Sequence, residues 1–223
     1  MIELRDLCKS FLLRGQRKVV ADRLNVVFPS GVSVALLGRN GAGKSTLLRM
    51  IAGISEPDSG EVLSTGSISW PVGFAGSFHP LLTGLQNTRF IARVYGVDTD
   101  ELVAFVREFS ELGRQFFLPT RSYSSGMKSR LAFGISMGIE FDTYLVDEVT
   151  AAGDRSFRQK SDRLMEDRLT RSGAIVVSHG MGQVRRLCQH GAVLEAGRLT
   201  YYTDVEEAIA HHERLMQARS DMV

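Results

Sequence analysis

Residues 38–46 read Gly38-Arg39-Asn40-Gly41-Ala42-Gly43-Lys44-Ser45-Thr46, directly after the apolar run at 32–37. The string fits G-x-x-x-x-G-K-S, and it stands where a buried strand turns into a helix, the setting in which a phosphate-binding loop works. Glycines let the backbone wrap an anion without Cβ clashes. The freed amides and the helix N-terminus then face the negative charge. Lys44 can reach the β- and γ-phosphates of a nucleotide and Ser45 can ligate Mg²⁺. The fold that delivers such a loop is an α/β one with a parallel sheet.

Composition is compatible with that fold and restricts the alternatives. A chain of 223 residues suits one domain with a sizeable insertion. The formal net charge of +2 supplies no basic field of the kind that nucleic-acid binding requires, so no nucleic acid is expected as partner. Cys8 and Cys188 stand alone, without metal-binding or disulfide spacing, and fit a reducing compartment. The acids Glu3 and Asp6 interrupt any secretory leader, and no apolar run is long enough to cross a bilayer. A membrane role is therefore expected to come through a partner chain.

Along the chain, short strands are expected at 1–11 and 19–28, a buried strand at 32–37 and the loop-opened helix at 44–52. A turn at 56–60 precedes strands at 61–63 and 67–72. From 79 to about 140 the pattern is helical, with candidates at 87–94, 99–110 and 126–139. Strands return at 143–146 and 174–178, an amphipathic helix lies between them at 155–169, and a hairpin at 192–202 leads to a helix at 205–217. This predicts one domain over 1–223: a nucleotide-binding core at 1–74 and 141–203, a helical subdomain at 75–140, and a C-terminal helix and tail at 204–223.

Two further segments carry chemistry. The strand Tyr144-Leu145-Val146 ends in Asp147-Glu148. Strand ends of a parallel sheet are where ligands gather. Asp147 suits the shell of a hard cation. Glu148 can polarise an attacking water as general base. The strand Val176-Val177-Ser178 ends in His179, whose neutral ring could donate to a phosphate and orient that water. Ser124 precedes Ser125-Gly126-Met127 at a helix start, where a hydroxyl, free amides and the helix dipole can meet an anion.

With these motifs in this order over nearly the whole chain, the sequence resembles the ATP-binding subunit of ATP-binding-cassette (ABC) transporters. The resemblance implies an ABC-type P-loop core with a mixed sheet, an antiparallel β subdomain and an inserted helical subdomain. Tyr123-Ser124-Ser125-Gly126-Met127 is similar to the family signature LSGGQ, with Tyr for Leu, Ser125 for the first Gly and Met127 for Gln. It implies that Ser124, Ser125 and Gly126 meet ATP held by the opposite subunit of a homodimer. Ala151-Ala152-Gly153-Asp154 is similar to the family's SALD loop, with Asp154 at its Asp. Phe11 stands where the family stacks an aromatic on adenine. His179 is implied as the family's switch histidine. The Gln usually found after the 67–72 strand is missing: the stretch reads Phe74-Ala75-Gly76-Ser77, and Ser77 is the candidate substitute.

The segment Phe78-His79-Pro80-Leu81-Leu82-Thr83-Gly84-Leu85-Gln86-Asn87, together with 123–127, resembles the polysaccharide-exporting branch. That implies ATP and Mg²⁺ as cofactors, an integral-membrane permease dimer, periplasmic and outer-membrane capsule-export partners, and a place on the cytoplasmic face of the inner membrane. A chain ending one helix after Tyr202 favours the capsule type over O-antigen exporters with an added carbohydrate domain. Export of O-antigen, teichoic acid, lipid or drug is the alternative cargo. A binding-protein-dependent importer, a soluble ABC ATPase and a non-hydrolysing clamp are the other readings weighed.

Overall fold

The computed structural model describes residues 1–13, 15–74, 76, 78–147 and 155–220. Glu148, Asp154 and Ser77, three of the candidates above, lie outside the described residues. The chain forms two compact units. Among the described residues, one holds the strands together with three helices; the other holds four helices and the 3-10 turns Gly113–Phe117 and Thr120–Ser122.

In the first unit, β1 (Ile2–Leu13) pairs antiparallel with β2 (Gln16–Phe28) and with β4 (Ser59–Ser64), giving a three-stranded sheet. Irregular pairing at Leu4/Leu7, Leu7/Lys9 and Lys9/Ser10 marks bulges that add twist to the β1–β2 ribbon. The second sheet has six strands in the order β5-β6-β7-β3-β8-β9. These are β3 (Ser33–Leu37), β5 (Ile68–Pro71), β6 (Thr143–Asp147), β7 (Gly173–Val177), β8 (His190–Glu195) and β9 (Arg198–Tyr202). The ladders from β5 to β8 are parallel and β9 closes the edge antiparallel.

β3 and β7 are buried at every position, which explains why they read as continuous apolar runs rather than alternating ones. The core of this unit is built from Val34 and Leu36 of β3, Leu47, Leu48 and Ile51 of α1 (Lys44–Ile51), Ile175 and Val177 of β7, and Leu4, Leu7 and Leu24 of the smaller sheet. The helix Met181–Leu187 follows β7, a short element without a periodic signature in the sequence, and a last helix, Val205–Ser220, follows β9.

The second unit contains α2 (Gly84–Tyr95), α3 (Thr99–Ser110), α4 (Ser125–Gly138) and all but the last residue of α5 (Arg155–Leu169). With these, the helix after β7 becomes α6 and the last one α7. The division differs from the 75–140 boundary in taking in α5. Phe109 explains why: it stacks with Phe105 and Phe133 and meets Phe157 of α5 edge-on, so aromatic packing ties α3, α4 and α5 together. Arg130 lies over Phe157 at 4.3 Å and Lys160 over Phe109 at 4.8 Å, while Lys160 also pairs with Glu111 at 2.8 Å. α2 starts three residues earlier than periodicity suggested. Thr83 caps it by a reciprocal box with Gln86: the Gln86 amide donates to Thr83 Oγ1 at 3.0 Å, and the Thr83 amide donates to Gln86 Oε1 at 2.9 Å.

Candidate functional site

Three adjacent strands, β6, β7 and β3, bring the candidate residues to one edge of the large sheet. β3 runs into the loop at 38–43 and α1, β6 ends on Asp147, and β7 is followed by Ser178 and His179. Because the three strands are parallel, their carboxyl ends coincide, and that edge is where an open α/β sheet receives ligands.

The loop is shaped by its glycines. Gly43 has φ 109°, and a Cβ there would fall 2.2 Å from Val20 Cγ1 of β2. At Gly38, φ is 148°, and a Cβ would fall 2.4 Å from the Leu194 carbonyl oxygen of β8. Neither position admits a side chain, for reasons of both conformation and space. The Lys44 ammonium turns back over the loop and donates to the carbonyls of Gly38 at 2.6 Å and Arg39 at 3.0 Å. The Ser45 hydroxyl donates to Asp147 Oδ1 at 3.1 Å, linking the start of α1 to the end of β6. The turn that carries His179 is braced by Ser178, whose hydroxyl accepts from the Gly180 amide at 3.1 Å and donates to Gln183 Oε1 at 2.8 Å.

These groups surround a cavity of about 650 Å³. Of the residues singled out in the sequence, Phe11, Asn40, Gly41, Gly43, Lys44, Ser45, Thr46, Asp147 and His179 line it. Gly38 and Ala42 support it from outside: Gly38 through its carbonyl, Ala42 in the wall of a neighbouring cavity of about 320 Å³. Phe11 is 40% exposed, with the Lys9 ammonium 5.6 Å from its ring centroid. Lys9 is itself fixed by Asp58 at 3.0 Å and by the Glu56 carbonyl at 2.8 Å. Lys18, Val20 and Val177 also line the cavity, and the sequence reading did not include them. Their place depends on the β1–β2 register and on the path of β7, which no local motif encodes.

The hydroxyl of Ser45 and the carboxylate of Asp147 form a pair of hard oxygen donors within one cavity, the donor chemistry that Mg²⁺ accepts when water and phosphate oxygens complete its shell. Among the described residues there is no cluster of three or more His, Cys, Asp and Glu side chains able to hold a metal alone.

Ser124, Ser125 and Gly126 sit apart from this constellation in the chain, at the start of α4 in the helical unit. Ser124 caps the helix, its hydroxyl accepting from the Met127 amide at 3.2 Å. Tyr123 before it is buried. Its hydroxyl donates to the Gln115 carbonyl at 2.7 Å, and burial pushes the phenol above its ordinary pKa. A hydrogen-bonded knot precedes the cap. Asn87, 2% exposed, accepts from the His79 amide at 2.9 Å and donates to the carbonyls of His79, Leu82 and Thr83. Thr120 donates its hydroxyl to the His79 carbonyl at 3.0 Å and its amide to the Leu82 carbonyl at 2.9 Å, and the Arg121 amide donates to the Pro80 carbonyl at 2.9 Å.

A glycine-cradled lysine at the mouth of a parallel sheet, with an acid and a histidine on the two neighbouring strands, defines a P-loop nucleotide hydrolase. The ABC transporter family model matches residues 21–151. The chain belongs to the ABC transporter family, as an ATP-binding, ATP-hydrolysing subunit. It is 46% identical to the polysialic acid transport ATP-binding protein KpsT of Escherichia coli, over 96% of this chain and 99% of that protein. It is 44% identical to the capsule polysaccharide export ATP-binding protein CtrD of Neisseria meningitidis serogroup B, over 96% of this chain and 100% of that protein. Identity to the O-antigen export ATP-binding protein RfbB of Klebsiella pneumoniae is 35%, over 92% of this chain and 85% of that protein. Among solved structures, an ABC transporter ATP-binding subunit superimposes with TM-score 0.77 at 21% identity, covering 96% of this chain and 99% of that one. The dimeric cassette MJ0796 with ADP and phosphate superimposes with TM-score 0.72 at 22% identity, over 89% and 96%. These two likenesses concern the fold.

Proposed function

We propose that this chain is the ATP-hydrolysing subunit of an exporter of capsular polysaccharide and works as a homodimer beneath a separate integral-membrane permease. The observation that carries the ATPase part is the convergence of Lys44, the Ser45–Asp147 pair and His179 on one cavity that ends at Phe11. The cargo rests on the near full-length similarity to the capsule-export ATP-binding proteins.

In this reading adenine stacks on Phe11 and the loop amides with Lys44 take the phosphates. Ser45 and Asp147 would hold Mg²⁺, which when bound neutralises charge on the β- and γ-phosphate oxygens. Glu148 accepts a proton from the attacking water, and His179 donates to the γ-phosphate and keeps that water in line. Ser124, Ser125 and Gly126 of the second copy complete the cap over the γ-phosphate, with Asp154 in the loop that meets the partner. ATP thus favours the closed dimer, because the signature contacts form only there. Hydrolysis removes them. Among the described residues no helix is long and apolar enough to cross a membrane, which agrees with a peripheral place under the permease, on the cytoplasmic face of the inner membrane. Periplasmic and outer-membrane capsule-export proteins would carry the polymer onward.

The test is deletion of the gene in the bacterium that carries it, followed by restoration of wild type or Glu148→Gln. Surface polysaccharide should vanish on deletion, accumulate inside, and return only with wild type. Unchanged surface polymer in every strain would sink the capsule reading. The second reading, export of O-antigen, is favoured by the 35% identity to RfbB, and loss of O-antigen with intact capsule would select it.

A further inference from the structure

We infer that Lys18 is a nucleotide-binding residue that takes the sugar and α-phosphate segment of ATP, a contact that rests on the ATP-site reading of the cavity. Lys18 lies on β2 directly opposite Phe11 on β1. Cross-strand partners project from the same face of a sheet, so the ring and the ammonium enter the cavity together. The Lys18 stem reaches the phosphate loop: a Cβ built on Gly41 would lie 3.4 Å from Lys18 Nζ. Among the described residues Lys18 has no ion-pair partner, although Glu195 shares the adjacent cavity with it.

The two lysines of the site therefore divide the ligand. Lys44 lies inside the loop on the carbonyls of Gly38 and Arg39, in the cavity shared with Asp147 and His179. Lys18 stands on the outer rim, between the ring of Phe11 and Gly41. A base on Phe11 and terminal phosphates at Lys44 leave the ribose and the α-phosphate in the interval that Lys18 faces. The α-phosphate is the anionic group of the ligand in that interval, and a charge-assisted contact from an exposed ammonium has a modest strength, on the order of a tenfold gain in affinity.

This group is common to ATP and ADP, so the contact does not discriminate between them. Calorimetric titration of the full-length chain with MgATP and with MgADP tests the assignment. For Lys18→Ala, both dissociation constants should rise by the same factor, about tenfold, while Lys18→Arg stays within about twofold of wild type. Lys18→Met, which keeps the stem and loses the charge, takes the place of the alanine variant if that variant melts early. Wild-type affinity for both nucleotides in Lys18→Ala and Lys18→Met would overturn the proposal, as would a loss confined to ATP, which would move the contact to the γ-phosphate. Failure of wild type to bind either nucleotide would instead remove the ATP-site reading itself, and Lys18's part with it.

Discussion

The Gly43 position shows how little freedom the loop has. With φ 109° and Val20 Cγ1 2.2 Å from any added Cβ, Gly43→Ala must distort the loop or push β2 away. We expect the variant to lose ATP binding by at least about tenfold while far-ultraviolet circular dichroism stays native, since overpacking of this kind costs roughly 1–3 kcal/mol. In the proposed mechanism Lys44→Ala removes the cation assigned to the terminal phosphates, and it should lower steady-state phosphate release by about 100-fold or more, measured against wild type at saturating ATP. Cys188 offers a check of a different sort. Burial pushes its thiol up to about 12. At pH 8 it remains protonated and should resist iodoacetamide until the protein is denatured, when mass spectrometry should find it fully labelled. Labelling of Cys188 in the native protein within minutes would contradict the burial. Lys44, Ser45, Asp147 and His179 were legible in the sequence because each sits in a contiguous string that ends a buried strand. Lys18 and Val20 were not: Lys18 falls in a polar run that reads as loop, and the bulged β1–β2 pairing that brings it opposite Phe11 has no local signature.

At the level of the element, Asn87 holds more than its own helix. It is buried, and its amide group makes four hydrogen bonds to the segment at 79–83. Asn87→Leu strands those backbone groups. It should cost about 2–4 kcal/mol, read as a fall in Tm of several degrees, because a buried group left unsatisfied carries its full desolvation penalty. A Tm within one degree of wild type would show that water replaces the amide. The start of α2 was misjudged in the sequence for a related reason. Thr83-Gly84-Leu85-Gln86 has capping-box spacing, but a glycine at the first helical position argues against a helix. The structure explains the glycine: a Cβ at Gly84 would meet Tyr123 Oη at 2.5 Å. Tertiary packing, not propensity, selected the residue. α6, with seven residues, glycine at its N-cap (Gly180) and a second glycine at position 182, has too few turns to leave a periodic signal.

For the whole molecule, Ser124 and Lys44 belong to different compact units of the chain. If the signature of one copy closes the site of another, then Glu148→Gln with ATP should run in light scattering at twice the mass of the 24.6 kDa chain. ADP should return it to monomer. A single mass under all nucleotide conditions would remove the closed-dimer model. The order of the large sheet was not deducible from the sequence, since the run of elements along the chain leaves several crossings open. Yet that order has a consequence for control. Asp147, the loop that leads to Lys44 and the turn that carries His179 stand at the ends of three neighbouring strands, two of them buried at every position, and the hydrogen-bond ladders between those strands fix the spacing of the strand ends. Altering that spacing would mean sliding one strand along another, at the loss of a whole row of bonds. An edge of this kind has no inactive setting of its own. If a second copy closes it, as proposed, its resting state is incompleteness rather than inhibition, and the copy that supplies the missing surface holds the timing of the machine.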